Sequence, residues 1–187
     1  MAELATRLAT ATGAGWLQAS PPAARFILQG GPAARAAAGA ALGVTLPEEP
    51  CRAHSSGDRA ALWLGPDEHL LIAAAGNAPV LTADLEAAMT GIAHSLVDVS
   101  QRQIALQVSG PQADAILNTG CPLDLDAAAF PPGMCTRTLF GKSDIIIWRT
   151  GADEFRLEVW RSFADYVSVL LREAARDFRP VLLNNSL

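Results

Sequence analysis

Hydrophobic residues along this chain recur with two different periods. In "ARFILQ", Phe26 and Leu28 alternate with Arg25 and Gln29, the rhythm of a half-buried strand. Gly31-Pro32 breaks that strand, and Pro32 suits the first position of a helix reaching about Leu42, whose apolar face is almost entirely alanine. After a loop with Pro47, Pro50 and Gly57, "RAALWL" and "EHLLIAA" predict a hairpin around Gly65-Pro66-Asp67. Leu81, Leu85, Ala88, Met89 and Ile92 then fall at helical spacing, and "HSLVDVS" reads as a further strand. The order βαββαβ is that of the ferredoxin-like unit, in which both crossover helices lie on one face of an antiparallel sheet.

The rhythm then starts again. "QRQIALQVS" sets Ile104, Leu106 and Val108 against Gln103, Ala105 and Gln107, and Gly110-Pro111 ends that strand and opens a helix through Ala113, Ile116 and Leu117. Gly120 is its stop. Beyond a loop with Pro122, Pro131 and Pro132 come the strand "CTRTLF" and a hairpin of "SDIIIWR" and "EFRLEVW" around Gly151-Ala152-Asp153. Ser162 and Asp165 have capping-box spacing at the head of a last helix. Phe163, Tyr166, Val167, Leu170, Leu171, Ala174 and Phe178 trace its predicted inner stripe. "VLL" at 181–183 reads as a short edge strand after Pro180.

Strand-Gly-Pro-helix and strand-G-x-D-E-strand thus occur twice in the same order, which implies a duplicated unit. The fold class expected is α+β, two fused ferredoxin-like (βαββαβ) halves with antiparallel sheets. Residues 23–187 form one unit with halves at about 23–100 and 101–187, and the Ala-, Thr- and Gly-rich residues 1–22 read as an N-terminal arm. The paired acids of the two turns, Asp67-Glu68 and Asp153-Glu154, are most simply turn chemistry.

A length of 187 residues is enough for a real core. The formal net charge of −5, with no local Lys/Arg cluster, argues against nucleic acid or anionic membrane as a partner. No apolar run spans a bilayer and the N-terminus lacks the pattern of a signal peptide, so the expected location is the cytoplasm. Cys51, Cys121 and Cys135 show no CxxC spacing and read as reduced thiols.

Catalytic signatures fail on spacing and context. "FGKS" at 140–143 ends like a phosphate-binding loop, but Thr136 stands where the first glycine is needed and a strand follows where a helix should. His54, His69 and His94 have no helical metal spacing, and "QVSGP" is not a nucleophile elbow. No catalytic residue and no metal site is expected. Trp63, Trp148 and Trp160 alternate away from Leu62/Leu64, Ile145/Ile147 and Leu157/Val159, and so are read as an outward aromatic set. Either a packed helix or a partner protein would cover them.

From "VDVS" onward the order D-x-S, strand, Gly-Pro, helix, acidic turn region, hairpin resembles the folate-binding domain of the glycine cleavage T-protein, the aminomethyltransferase. "WLGPDEHLL", "VDVSQRQ", "GCPLDL", "FPPGMCTRTLFGKSDIIIWR" and "FRLEVWRSFADYV" resemble the gamma subunit family of heterotetrameric sarcosine oxidase, over most of the chain from about residue 24. The T-protein G-G-x-x-D-D segment is shortened here to "GKSD", leaving Asp144, and its V-N-A is replaced by Val159-Trp160-Arg161. Of the K-G-C-x-x-G-Q-E motif of related RNA-modification proteins only Cys135 remains.

The resemblance implies a structural subunit, without cofactor of its own, of a complex that demethylates sarcosine to glycine, releases hydrogen peroxide and passes the one-carbon unit to tetrahydrofolate. Its partners would be larger flavoprotein subunits carrying FAD, FMN, NAD and tetrahydrofolate sites, met through Trp63, Trp148 and Trp160. The alternative it leaves is a stand-alone binder of folate or another small molecule. There a vestigial cleft would set Arg137 against a carboxylate, with Asp124 and Asp144 nearby.

Overall fold

The computed structural model describes residues 15–178, which divide into two compact units, Pro22–Arg102 and residues 15–21 with 103–178. In the first, β2 (Ala23–Gly30), α1 (Pro32–Leu42), β3 (Ala53–Ser56), β4 (Arg59–Gly65), β5 (Glu68–Ala74), α2 (Ala78–Ala88) and β6 (His94–Asp98) follow in order. The sheet order is β3-β4-β5-β2-β6 and every neighbouring pair is antiparallel. Without β3 this is the ferredoxin-like arrangement expected from the βαββαβ order. Pro32 begins α1, and Gly43 closes it at φ +72, with its N–H on the Gly39 carbonyl. Ala34, Ala38 and Leu42 press the helix onto Ala24, Phe26 and Leu28, and the small side chains let backbone approach backbone.

The second unit repeats the plan. β1 (Leu17–Ala19), β7 (Gln103–Ser109), α3 (Ala113–Asn118), β8 (Cys135–Phe140), β9 (Ser143–Gly151), β10 (Glu154–Trp160) and α4 (Ala164–Ala174) follow in order, and the strands form a sheet ordered β1-β7-β10-β9-β8. β10, β9 and β8 stand to β7 as β5, β4 and β3 stand to β2. The position that β6 holds in the first unit is taken here by β1 (Leu17–Ala19), paired Leu17↔Val108 to Ala19↔Leu106. The stretch read as an arm is therefore, in its described part, an integral strand, and Leu17 is buried in the second unit's core. The strand expected at 181–183 lies outside the described residues.

The repeated G-x-D-E turns have one structural use. Gly30 N–H donates to the Asp67 carbonyl at 2.9 Å, and Gly110 N–H donates to the Asp153 carbonyl at 2.9 Å. In each unit the glycine that ends the first strand is tied to the hairpin beside it, before the chain turns into its helix.

Three expectations are corrected. The polar faces of β2, β7 and β10 are solvated only in part, since Gln29 and Glu154 are exposed but Arg25, Gln103 and Glu158 are buried. Glu158 accepts from Arg156 Nε at 2.8 Å along the same strand, which compensates part of its desolvation. The capping box at Ser162 is absent, because a 3-10 turn over Arg161–Phe163 leads into α4 and Phe163 holds the cap position with no side-chain bond. The inner face of α4 is Ala164, Val167, Ser168 and Leu171, continued by Ala175 in the 3-10 turn that follows, roughly a quarter turn from the predicted stripe. Phe163, Tyr166 and Val169 are exposed as a result.

Candidate functional site

Loop-anchoring side chains occupy matching places in the two units. Counting from the turn aspartates, Trp63 and His69 correspond to Arg149 and Phe155, and each pair is a cross-strand pair. His69 is buried, and its Nε2–H donates to the Pro47 carbonyl at 2.7 Å, which pins the loop after α1. Nδ1 is buried without a partner, as a neutral acceptor nitrogen. Arg149, also buried, donates from Nη1 to the Leu125 and Phe130 carbonyls at 2.9 and 3.1 Å and lies 4.9 Å from the Phe155 ring centre. It thereby pins the corresponding loop after α3.

Burial holds the His69 pKa below its ordinary value, the nearby Arg35 charge adds to this, and the Pro47 bond with Asp67 and Glu68 opposes it. The unfolded chain takes up this proton below about pH 6.5 while the folded chain does not. Stability carried by His69 is thus fully present above that pH and declines as pH falls, until the folded imidazole also protonates. His69→Phe, copying Phe155, is expected to flatten the change in urea midpoint between about pH 7.5 and about pH 5.5. A slope equal to that of the parent chain would assign the effect elsewhere.

The residues proposed from sequence for a cleft are only partly brought together. Arg137 and Asp144 are exposed on adjacent strands, and the pairs Arg137↔Ile146 and Leu139↔Asp144 set them diagonally on one face, roughly 7–8 Å apart at the backbone. Asp124 is exposed in the loop after α3, where its carboxylate accepts the Asp126 N–H at 3.0 Å.

The three tryptophans do not form one set. Trp63 shares its face with Ala61 and with His69 and Leu71 of β5, the side that carries the helices, because in the first unit the helix-covered core contains Ala61 and Leu71 and not Leu62. Trp148 is half-buried with its indole N–H unpartnered, and it pairs with Arg156, four residues before Trp160 on β10. Trp160 is 45 % exposed. The pairing Val159↔Ile145 brings it next to Asp144, whose other neighbour is the exposed Leu139.

At the same end of this unit Phe163 and Tyr166 make an edge-to-face contact with ring centres 6.5 Å apart. The Tyr166 hydroxyl accepts the Lys142 N–H at 3.2 Å, and Gly141 of the β8–β9 turn, at φ +60, lets Tyr166 and Leu170 close over it. The sequence reading missed Phe163 and Tyr166 as surface groups by giving the core stripe to the largest side chains. The signal available was the series Ala164, Ser168, Ala175, the small residues that allow close helix-on-sheet contact.

The sarcosine oxidase, gamma subunit family matches residues 29–177 of this chain. The chain belongs to that family. It is 34 % identical over 149 residues to the sarcosine oxidase subunit gamma of Arthrobacter sp., covering 79 % of this chain and 72 % of that one. It is also 34 % identical over 144 residues to the protein of the same name from Corynebacterium sp. (strain P-1), with 76 % and 70 % covered. Among solved structures, the heterotetrameric sarcosine oxidase of Corynebacterium sp. U-96 in complex with pyrrole 2-carboxylate contains a chain that superposes with a TM-score of 0.84 at 30 % identity, covering 95 % of this chain and 93 % of that one. Glycine cleavage system aminomethyltransferase T from Bartonella henselae matches at TM-score 0.62 and 21 % identity over 87 % of this gamma-family chain and 46 % of its own, a likeness of fold. Among the described residues no helix is long and apolar enough to cross a membrane.

Proposed function

We propose that this gamma-family chain is a non-catalytic subunit of a multimeric sarcosine oxidase. The assembly would oxidatively demethylate sarcosine to glycine, with the one-carbon unit passed to tetrahydrofolate and hydrogen peroxide released. The flavins, NAD and folate reside in this reading on larger subunits, and the chain acts in assembly. The single observation that carries it is the match to a chain of a heterotetrameric sarcosine oxidase over nearly the whole of both chains. Its buried polar side chains support a structural role: His69 and Arg149 are spent on backbone carbonyls of their own loops.

The test is co-expression with the larger subunits of a sarcosine oxidase from the same source, followed by size exclusion with flavin absorbance recorded. Co-elution of this chain with the flavin peak is the expected result. Elution alone, together with a rise in melting temperature on adding folate at well above micromolar concentration, would favour the small-molecule binder instead.

A further inference from the structure

The loop after α1 is held by side chains and not by its own backbone. Among the described residues Thr45, Leu46, Pro47 and Glu48 make no backbone–backbone hydrogen bond. The two ends of the loop have ties that survive mild acid. His54 Nδ1–H donates to the Thr45 carbonyl at 2.8 Å and stays a donor when the ring is protonated, and Arg52 Nε donates to the Glu49 carboxylate at 3.1 Å. The middle is fixed by His69 Nε2–H on the Pro47 carbonyl, and there protonation has a different consequence. A proton on Nδ1 makes a buried charge and a buried donor with no acceptor. We propose that residues 46–48 are an acid-released strap, which lifts off the protonated His69 ring so that water reaches Nδ1, while the loop ends, the sheet and the helices stay in place.

The ring itself has nowhere to go. His69 lies within β5, paired with Leu28 of β2 on one side and Trp63 of β4 on the other, so moving it breaks two ladders. Lifting the strap breaks one side-chain bond and uncovers Leu46, which is 4 % exposed. Room for the movement exists beside it: an open groove of about 470 Å³ has Ala36, Gly39 and Ala40 on the helix side and Thr45, Leu46 and Glu48 on the loop side. The charges facing the ring are divided. Arg35 of α1 opposes the proton, Asp67 and Glu68 of the hairpin favour it, and Glu48 of the loop lies 3.5 Å from Arg35. Neither Leu28 nor Trp63 carries charge, and burial puts the event below about pH 6.5. The corresponding loop of the second unit is built to be indifferent to acid. Phe155 stands at the place of His69, and the loop is held by Arg149, whose guanidinium does not titrate.

The test is NMR of the full chain from about pH 7.5 down to about pH 5, with a soluble neutral nitroxide added to broaden signals that solvent can reach. Leu46 methyl signals report the strap, those of the buried Leu125 report the matching loop, and the His69 ring protons report the titration. Nitroxide broadening of Leu46 is expected to rise about tenfold as the ring titrates, with that of Leu125 constant. His69→Gln, which keeps a donor for the Pro47 carbonyl and has no proton to gain, is expected to abolish the rise. If that variant fails to fold, the parent titration decides with Leu125 as its reference. Leu46 that stays shielded after the ring has titrated, or until the whole chain unfolds, overturns the strap. So does broadening of Leu46 and Leu125 together, which is global unfolding, and so does an equal rise in His69→Gln.

Discussion

Arg149→Met is expected to lower folding stability by about 3–5 kcal/mol, because it removes the hub of a buried hydrogen-bond network. The guanidinium sits behind 3 % exposure and donates to the carbonyls of Leu125, Phe130, Gly151 and Ala152. Methionine fills much of the volume and keeps contact with the Phe155 ring, so the loss reports the stranded carbonyls more than a cavity. Arg149→Lys keeps the charge but has no planar fork to serve carbonyls in several directions, and is expected to recover little. Urea unfolding monitored by tryptophan fluorescence measures both. A loss below about 1 kcal/mol for the methionine variant would mean that the loop through Leu125 and Phe130 is held by its own apolar packing.

Phe140→Ala is expected to cost a similar amount, about 3–5 kcal/mol, by opening a cavity. Phe140 is fully buried at the end of β8, and its ring lies so close to Gly120 that a Cβ there would stand 2.8 Å from Cε2. The backbone also meets at this point, with Gly141 N–H donating to the Gly120 carbonyl at 2.9 Å. The stop of α3, the end of β8 and the turn under Tyr166 are thus one packed joint. Loss of the ring should also loosen that turn, and hydrogen exchange at Lys142 N–H, whose acceptor is the Tyr166 hydroxyl, is the second readout. Protection there equal to that of the parent chain would separate the Phe140–Gly120 joint from the turn that Tyr166 closes.

The two units differ instructively in how much of each was legible. The strands and helices of the first followed from alternation in "ARFILQ", from Gly31-Pro32 and from the hairpin residues, since these are local preferences with a fixed period. β3 was not foreseen, because "AHSS" is short, polar and mostly exposed and carries no hydrophobic rhythm. β1 was missed for a different reason. Leu17 is buried only because the strand crosses to β7, more than eighty residues further along the chain, and no local pattern encodes that partner.

For the candidate site, sequence found Trp160 and Asp144 but not what joins them. Register did that, through Val159↔Ile145 and Leu139↔Asp144. Trp63 was grouped with the other tryptophans because alternation states which residues share a face but not which face receives the helices. In the first sheet the smaller side chains, Ala24, Ala61 and Ala73, lie beneath the helices beside Phe26 and Leu71.

By itself, then, the sequence determined the duplicated βαββ plan, the two hairpins, the glycine–proline breaks between strand and helix, and the family to which the chain is similar. These rest on short-range sterics and on motifs that a linear reading contains. Only the tertiary structure decided that β1 completes the second sheet, that Arg25 and Glu158 are buried, and that α4 turns Phe163 and Tyr166 toward solvent. Each of those outcomes depends on which surface comes within van der Waals distance of which, and close packing through small residues can outweigh the preference of a large aromatic ring for the core.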